Sequence, residues 1–105
     1  MKILLMALLT IGLSLNAVAE TIWLDVRSAS EYAAGHVDGS INIPHTEVKA
    51  RFPAIIDKKD SDIKVYCRSG RRAEFAKSEL EALGYTKVQN LGSLEKAKTA
   101  KASMQ

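Results

Sequence analysis

Apolar positions along this chain fall into short blocks with two different periods. Ile22, Leu24 and Val26 alternate with Trp23 and Asp25, the period-two pattern of a half-buried strand. Ser28 or Ser30 supplies a cap for a short helical stretch through Ala34, and Gly35 stops it. Ser40-Ile41-Asn42-Ile43 predicts a second, shorter strand ended by Pro44. Thr46 then caps a helix that carries Val48 and Phe52 and closes at Pro53. A charged loop from Asp57 to Asp62 leads into Ile63-Lys64-Val65-Tyr66, which alternates again. Ala73, Ala76, Leu80 and Leu83 follow at helical spacing, ending at Gly84. Lys87 to Leu91 gives the last strand, and Ser93 starts a terminal helix. Strands alternating with short helices predict an α/β fold with a mainly parallel sheet. Four strands make a small sheet, so a fifth, at an edge, is expected.

The apolar run before residue 20 has another meaning. Lys2 is a short positive start, Ile3 to Leu15 an apolar stretch, and Ala17-Val18-Ala19 a small-x-small cleavage site. The stretch is thirteen residues long, short of the ~17–25 that a membrane-spanning helix needs. Residues 1–19 therefore read as a cleavable secretory signal and residues 20–105 as one small domain. Export to a bacterial periplasm, with no stable membrane association after cleavage, is the simplest destination.

Charge narrows the picture further. The formal net charge of +3 falls to +2 once Lys2 is removed, too balanced for a nucleic-acid binder. The basic excess is local, with Arg68, Arg71 and Arg72 close together. Lys96, Lys98 and Lys101 in an Ala/Thr/Ser background predict a frayed or mobile tail over residues 96–105. The sequence has no Cys/His cluster with metal-ligand spacing and no Gly-rich nucleotide loop, so no metal and no cofactor are expected.

The candidate chemistry is concentrated in Cys67-Arg68-Ser69-Gly70-Arg71-Arg72-Ala73. Cys67 is the single cysteine, so no internal disulfide can form, and an unpaired thiol in an exported domain points to reactivity. A strand, a tight turn and a helix start converge on it. Arginines oppose the dipole of a helix N-terminus, and their presence there makes sense if an anion occupies the turn. A thiol among arginines at a helix start is a nucleophile held as thiolate. The competing reading is an inert cysteine packed at a strand end, which arginine neighbours disfavour.

Two separate segments resemble one family. Asp25-Val26-Arg27, Glu31-Tyr32 and Gly35-His36-Val37-x-Gly39-Ser40-Ile41-Asn42-Ile43-Pro44 are similar to the N-terminal signature of rhodanese domains. The Cys67–Ala73 turn closely resembles their active-site loop. Gly84-Tyr85, Val88 and Leu91-Gly92 also fall where such domains carry a helix-ending Gly-Tyr and a late strand. The chain departs from the pattern in having Gly92-Ser93 in place of a Gly-Gly pair, and no downstream Trp.

The resemblance implies a small rhodanese-like domain and a thiosulfate sulfurtransferase that works through a cysteine persulfide. Its partners would be thiosulfate as donor and a thiophilic acceptor such as cyanide or a protein thiol. On that implication Cys67 is the nucleophile, and Arg68, Ser69, Gly70, Arg71 and Arg72 bind substrate. Arg71 and Arg72 are the candidates for the thiosulfate oxygens, because a guanidinium fork suits a multi-oxygen anion. Asp25 and Arg27 are placed at the pocket wall, with a structural ion pair as the competing reading. His36 is expected to be a hydrogen-bonded turn residue, His45 has no constellation around it, and Trp23 and Tyr66 are expected to pack. A monomer is expected, and an exposed Cys67 would allow an adventitious disulfide dimer under oxidation.

Two rivals remain at this level. A cysteine phosphatase on a rhodanese-like fold would carry its arginine six residues after the nucleophile, whereas Arg72 is five after Cys67. A sulfur-carrier module with little turnover of its own would use the same loop.

Overall fold

The computed structural model describes residues 20–104. The proposed signal, residues 1–19, lies outside them. The elements are β1 (Thr21–Asp25), α1 (Ala29–Ala34), β2 (Ile41–Asn42), a 3-10 turn (His45–Glu47), α2 (Val48–Ile55), β3 (Asp62–Cys67), α3 (Arg71–Ala82), β4 (Lys87–Ser93) and α4 (Leu94–Ser103). The strands form one sheet in the order β2-β1-β3-β4, and every pairing is parallel. The expected fifth strand is not present among the described residues.

Side chains alternate across the two faces of a strand, and this sheet uses both faces. Leu24, Val26, Ile63, Val65 and Cys67 face one way, and pack with Phe52 of α2 and with Ala73, Ala76 and Leu80 of α3. Trp23 and Tyr66 face the other way, packing with Val37 and with Ala97 of α4. Phe52 meets Tyr85 edge to face at 5.2 Å between ring centroids, and the Tyr85 hydroxyl donates to the Ile56 carbonyl, linking the end of α2 to the turn after α3. Because Tyr66 and Cys67 are consecutive, the aromatic and the thiol lie on opposite faces of β3.

Three local expectations change. Pro53 does not close its helix: α2 runs on to Ile55, and the Ile56 N–H still reaches the Phe52 carbonyl at 2.9 Å. The missing proline N–H frees the Lys49 carbonyl, and Lys49 is exposed, so water can satisfy it. Thr46 does not cap α2; it lies inside the 3-10 turn that enters it. The tail from Lys96 is an ordered helix. Ser93 Oγ caps α4 by accepting from the Lys96 N–H at 3.1 Å, and Ala97 is fully buried. The small Ala97 side chain lets α4 lie close over the Trp23–Tyr66 face. Lys101 fastens its far end, with Nζ donating to the Asp38 carbonyl and standing 5.8 Å from the Trp23 ring centroid.

This docking is testable by Ala97→Asp, which places a carboxylate on the buried seam. The substitution is expected to lower unfolding free energy by on the order of 3 kcal/mol, read from urea denaturation. Unchanged stability would mean that α4 contributes nothing to the core.

Candidate active site

The strand-to-helix turn after β3 is built around Gly70. It is the N-cap of α3 and has φ +98°, a left-handed conformation that suits glycine. This geometry turns the Gly70 N–H back toward the strand end, where it donates to Cys67 Sγ at 2.9 Å. Among the described residues no side chain caps α3, so the donors at its first turn remain directed into the turn. The loop thus presents one N–H already on sulfur and a helix start beside it.

Cys67 is fully buried. Its thiol sits beneath the turn, with the Gly70 N–H on the sulfur, and the exposure that an adventitious disulfide requires is missing. Arg68 and Ser69, by contrast, are exposed at the loop's crest. Ser69, Gly70 and Arg71 line a shallow cleft with Asn90, Gly92 and Lys96. On the other side of the loop, Arg71 and Arg72 line a second, apolar slot with His45, Thr46 and Phe75. Phe75 is 51 % exposed and meets the His45 ring edge to face at 5.8 Å.

The three arginines do not have equal freedom. Arg72 is engaged by Glu31 in a bidentate pair, at 2.8 Å to Oε1 and 3.0 Å to Oε2. Glu31 is also the third helical residue of a capping box: it accepts from the Ser28 N–H at 3.0 Å, while its own N–H reaches Ser28 Oγ at 3.2 Å. Arg72 first, then the Ser28 N–H, lowers the Glu31 carboxyl to about 2. The Arg72 guanidinium is raised in turn, chiefly by Glu31 and against desolvation, with smaller contributions from the Cys67 and Asp25 charges. Arg72, one of the two candidates for the donor oxygens, thus has one N–H of each terminal nitrogen on the Glu31 carboxylate. Among the described residues Arg68 and Arg71 have no such ion pair.

Asp25 and Arg27 are occupied with each other. Arg27 Nη2 reaches Asp25 Oδ2 at 2.7 Å, Nε lies at 3.1 Å from Oδ1, and the Arg27 N–H donates to Oδ1 at 2.9 Å. Nη2 also donates to the Gly35 carbonyl at 2.6 Å. Asp25 pairs in register with Tyr66, which puts its side chain on the face opposite Cys67, and Arg27 stands over the Tyr66 ring at 5.7 Å. The pair is a buried brace behind the site. His36 stacks on Tyr32 with ring centroids 3.7 Å apart, and its Nδ1 meets the Tyr32 carbonyl at 2.7 Å, so that nitrogen carries the proton.

Two residues of this site carried no functional assignment in the sequence, Glu31 standing only in the N-terminal signature. Glu31 was visible through the Ser28-x-x-Glu31 capping-box spacing, but its second partner lies 41 residues away. Asn90 donates to the Gly70 carbonyl at 3.0 Å, and only its polar character inside a strand marked it.

A buried thiol at the carboxyl end of a central parallel strand, held by the glycine of the following turn, is the arrangement of a rhodanese-like domain. The sequence profile of that domain matches residues 13–100, and the chain belongs to the rhodanese-like family. Within it, the thiosulfate sulfurtransferase PspE of Escherichia coli K12 is 43% identical over 87 residues, covering 83% of this chain and 84% of that protein. A rhodanese from E. coli solved with anions superposes with a TM-score of 0.70 at 43% identity, over 73% of this chain and 91% of its own. The human single-domain sulfurtransferase TSTD1 superposes with a TM-score of 0.63 at 28% identity, over 92% and 89%.

The Glu31–Arg72 pair predicts an acid limb. Folding lowers the Glu31 carboxyl from its ordinary 4.5 to about 2. The ionised carboxylate therefore contributes stability that is fully present above pH ~4.5 and is lost as pH falls toward about 2. Glu31→Gln is expected to be less stable than the parent at pH 6, and the gap should close by pH ~2. Urea midpoints across that range check it; a pH-independent gap would refute the pairing as its cause.

Proposed function

We propose that the chain is a thiosulfate sulfurtransferase in which Cys67 carries sulfur as a persulfide. The observation that carries this reading is the Gly70 N–H on Cys67 Sγ at 2.9 Å, at the start of α3 and beside Arg71, which has no ion pair among the described residues. The 43% identity to the sulfurtransferase PspE supports it. A thiolate there attacks the outer sulfur of thiosulfate. The sulfur–sulfur bond of the donor breaks, sulfite leaves with the bonding electron pair, and Cys67 holds the transferred sulfur as a persulfide anion. An acceptor, cyanide or a thiolate, then attacks that outer sulfur and returns Cys67 to thiolate. The two displacements are redox-balanced within the substrates and give ping-pong kinetics.

The loop residues divide the labour. The Gly70 N–H and the α3 start meet the negative charge on sulfur. Arg71, with Arg68 and Ser69 at the crest, is assigned to the sulfonate oxygens. Arg72, fixed by Glu31, contributes charge to the turn and orientation to its backbone. Asp25 and Arg27 act from behind the sheet, as a brace. Residues 1–19 are assigned as a cleavable export signal, residues 20–105 as the working domain, and the periplasm as its place of action. Among the described residues no helix is long and apolar enough to cross a membrane.

Intact mass after thiosulfate treatment tests the central step. A gain of one sulfur atom is expected in the parent, reversed by cyanide, and none in Cys67→Ser. No gain in folded protein with a free thiol would overturn the mechanism. Arg71→Ala is expected to raise KM for thiosulfate about tenfold, the worth of a charge-assisted hydrogen bond, with persulfide still forming at saturating donor. An unchanged KM would remove Arg71 from the donor site.

A further inference from the structure

We propose that Asn90 is a positioning residue for sulfur transfer, fixing the Gly70 carbonyl so that the Gly70 N–H stays on the Cys67 sulfur. The inference rests on the reading of Cys67 as sulfur carrier. Asn90 lies on β4, remote in sequence from the loop it touches. Where β4 passes β3, Val65 pairs with Asn90 and Tyr66 with Gly92, leaving Leu91 as the extra residue of a bulge. Asn90 Oδ1 spans that bulge and accepts from the Gly92 N–H at 2.8 Å. This contact settles the orientation of the amide. Its Nδ2 then faces the turn, donating to the Gly70 carbonyl at 3.0 Å and to Glu74 Oε1 at 3.1 Å.

The consequence falls on both sides of Gly70. Its carbonyl accepts a second bond, from the Glu74 N–H at 2.9 Å, which is the first turn of α3. Its own N–H is the donor to sulfur. A glycine at φ +98° has more backbone freedom than any other residue, so a carbonyl held by the Glu74 N–H alone would let the flanking peptides rotate and swing the N–H off the thiol. Backbone packing reinforces the clamp: a Cβ on Gly70 would stand 3.4 Å from Gly92 Cα. During turnover the negative charge moves outward by one sulfur as thiolate becomes persulfide. Donors that are fixed beforehand meet both states without reorganising.

The test compares Asn90→Ala with the nearly isosteric Asn90→Asp in the full-length chain. Asp keeps an acceptor for the Gly92 N–H but loses the donor to Gly70. Both variants are expected to lower kcat for sulfur transfer about tenfold, with KM for thiosulfate within twofold. Amide hydrogen exchange at Gly70 should accelerate at least tenfold, while Ile63 and Val65 in β3 keep their protection. Parent-like kcat and Gly70 protection in Asn90→Asp would overturn the proposal, because Asn90 would then only brace the bulge. Equal loss of protection at Gly70, Ile63 and Val65 would overturn it as well, since the role would be general stability. Should Asn90→Ala not fold, Asn90→Asp alone decides. Failure of the parent to take sulfur from thiosulfate would count against Cys67 as carrier, while the exchange data would still decide whether Asn90 holds Gly70.

Discussion

Two opposite charges lie almost out of solvent at the carboxyl end of the central strand β1, with Asp25 fully buried and Arg27 only 6% exposed. Removing each from water costs several kcal/mol, and the mutual attraction offsets that only where geometry is good and the spare donors find partners. Here it is good: the guanidinium grips both carboxylate oxygens through Nε and Nη2, and Nη2 also donates to the Gly35 carbonyl. The surrounding backbone is tied to the same point. Asn42 Nδ2 donates to the carbonyls of Asp25 and Arg27, and the Val26 N–H reaches the Tyr66 carbonyl. Three strand ends, β2, β1 and β3, are thereby fixed relative to one another. The Cys67 turn leaves from one of them, so the site inherits its position from a charge pair on the other side of the sheet.

That division follows from strand geometry. Successive side chains point to opposite faces, so Tyr66 belongs to the brace and Cys67 to the loop. Tyr66 accepts from the Val37 N–H at 3.0 Å through its hydroxyl and lies 3.2 Å from Ser40 Oγ. The Tyr66 phenol is pushed up, first by burial, and stays a neutral packing group. Polar stabilisation sits on the brace face, while the face of Cys67 is apolar up to the thiol and polar only where the backbone N–H groups begin.

The parts of this design written in local periodicity were legible in the sequence. Alternation around Val65 and helical spacing from Ala73 to Leu80 placed Cys67 at a strand-to-helix turn, and the parallel sheet put that turn at its carboxyl edge. Composition misled at the tail, because an Ala-rich segment looks unanchored until Trp23 and Tyr66 supply a surface that small residues can approach. Pro53 misled because its cost depends on whether the freed carbonyl is solvated, which a sequence does not display. The long-range partners were invisible for a different reason. Glu31 and Arg72 are joined by fold topology, as are Asn90 and Gly70, and no local pattern specifies which side chain will stand opposite a turn.

The arginines show how these layers combine. Three cations at one helix start oppose its macrodipole, a cost the domain would not carry without compensation. Glu31 neutralises one of them, and because the same carboxylate caps α1, Arg72 is held to a rigid element rather than to a mobile loop. The remaining excess, on Arg68 and Arg71, has no carboxylate within the described residues to satisfy it. Charge left over after internal pairing is what an incoming anion can complete. Had all three been paired internally, the turn would be stable and inert; had none, the thiol would face a loop free to follow its cations into solvent. One cation fixed by Glu31 and two without an ion pair among the described residues hold the backbone still while leaving the turn with net positive charge.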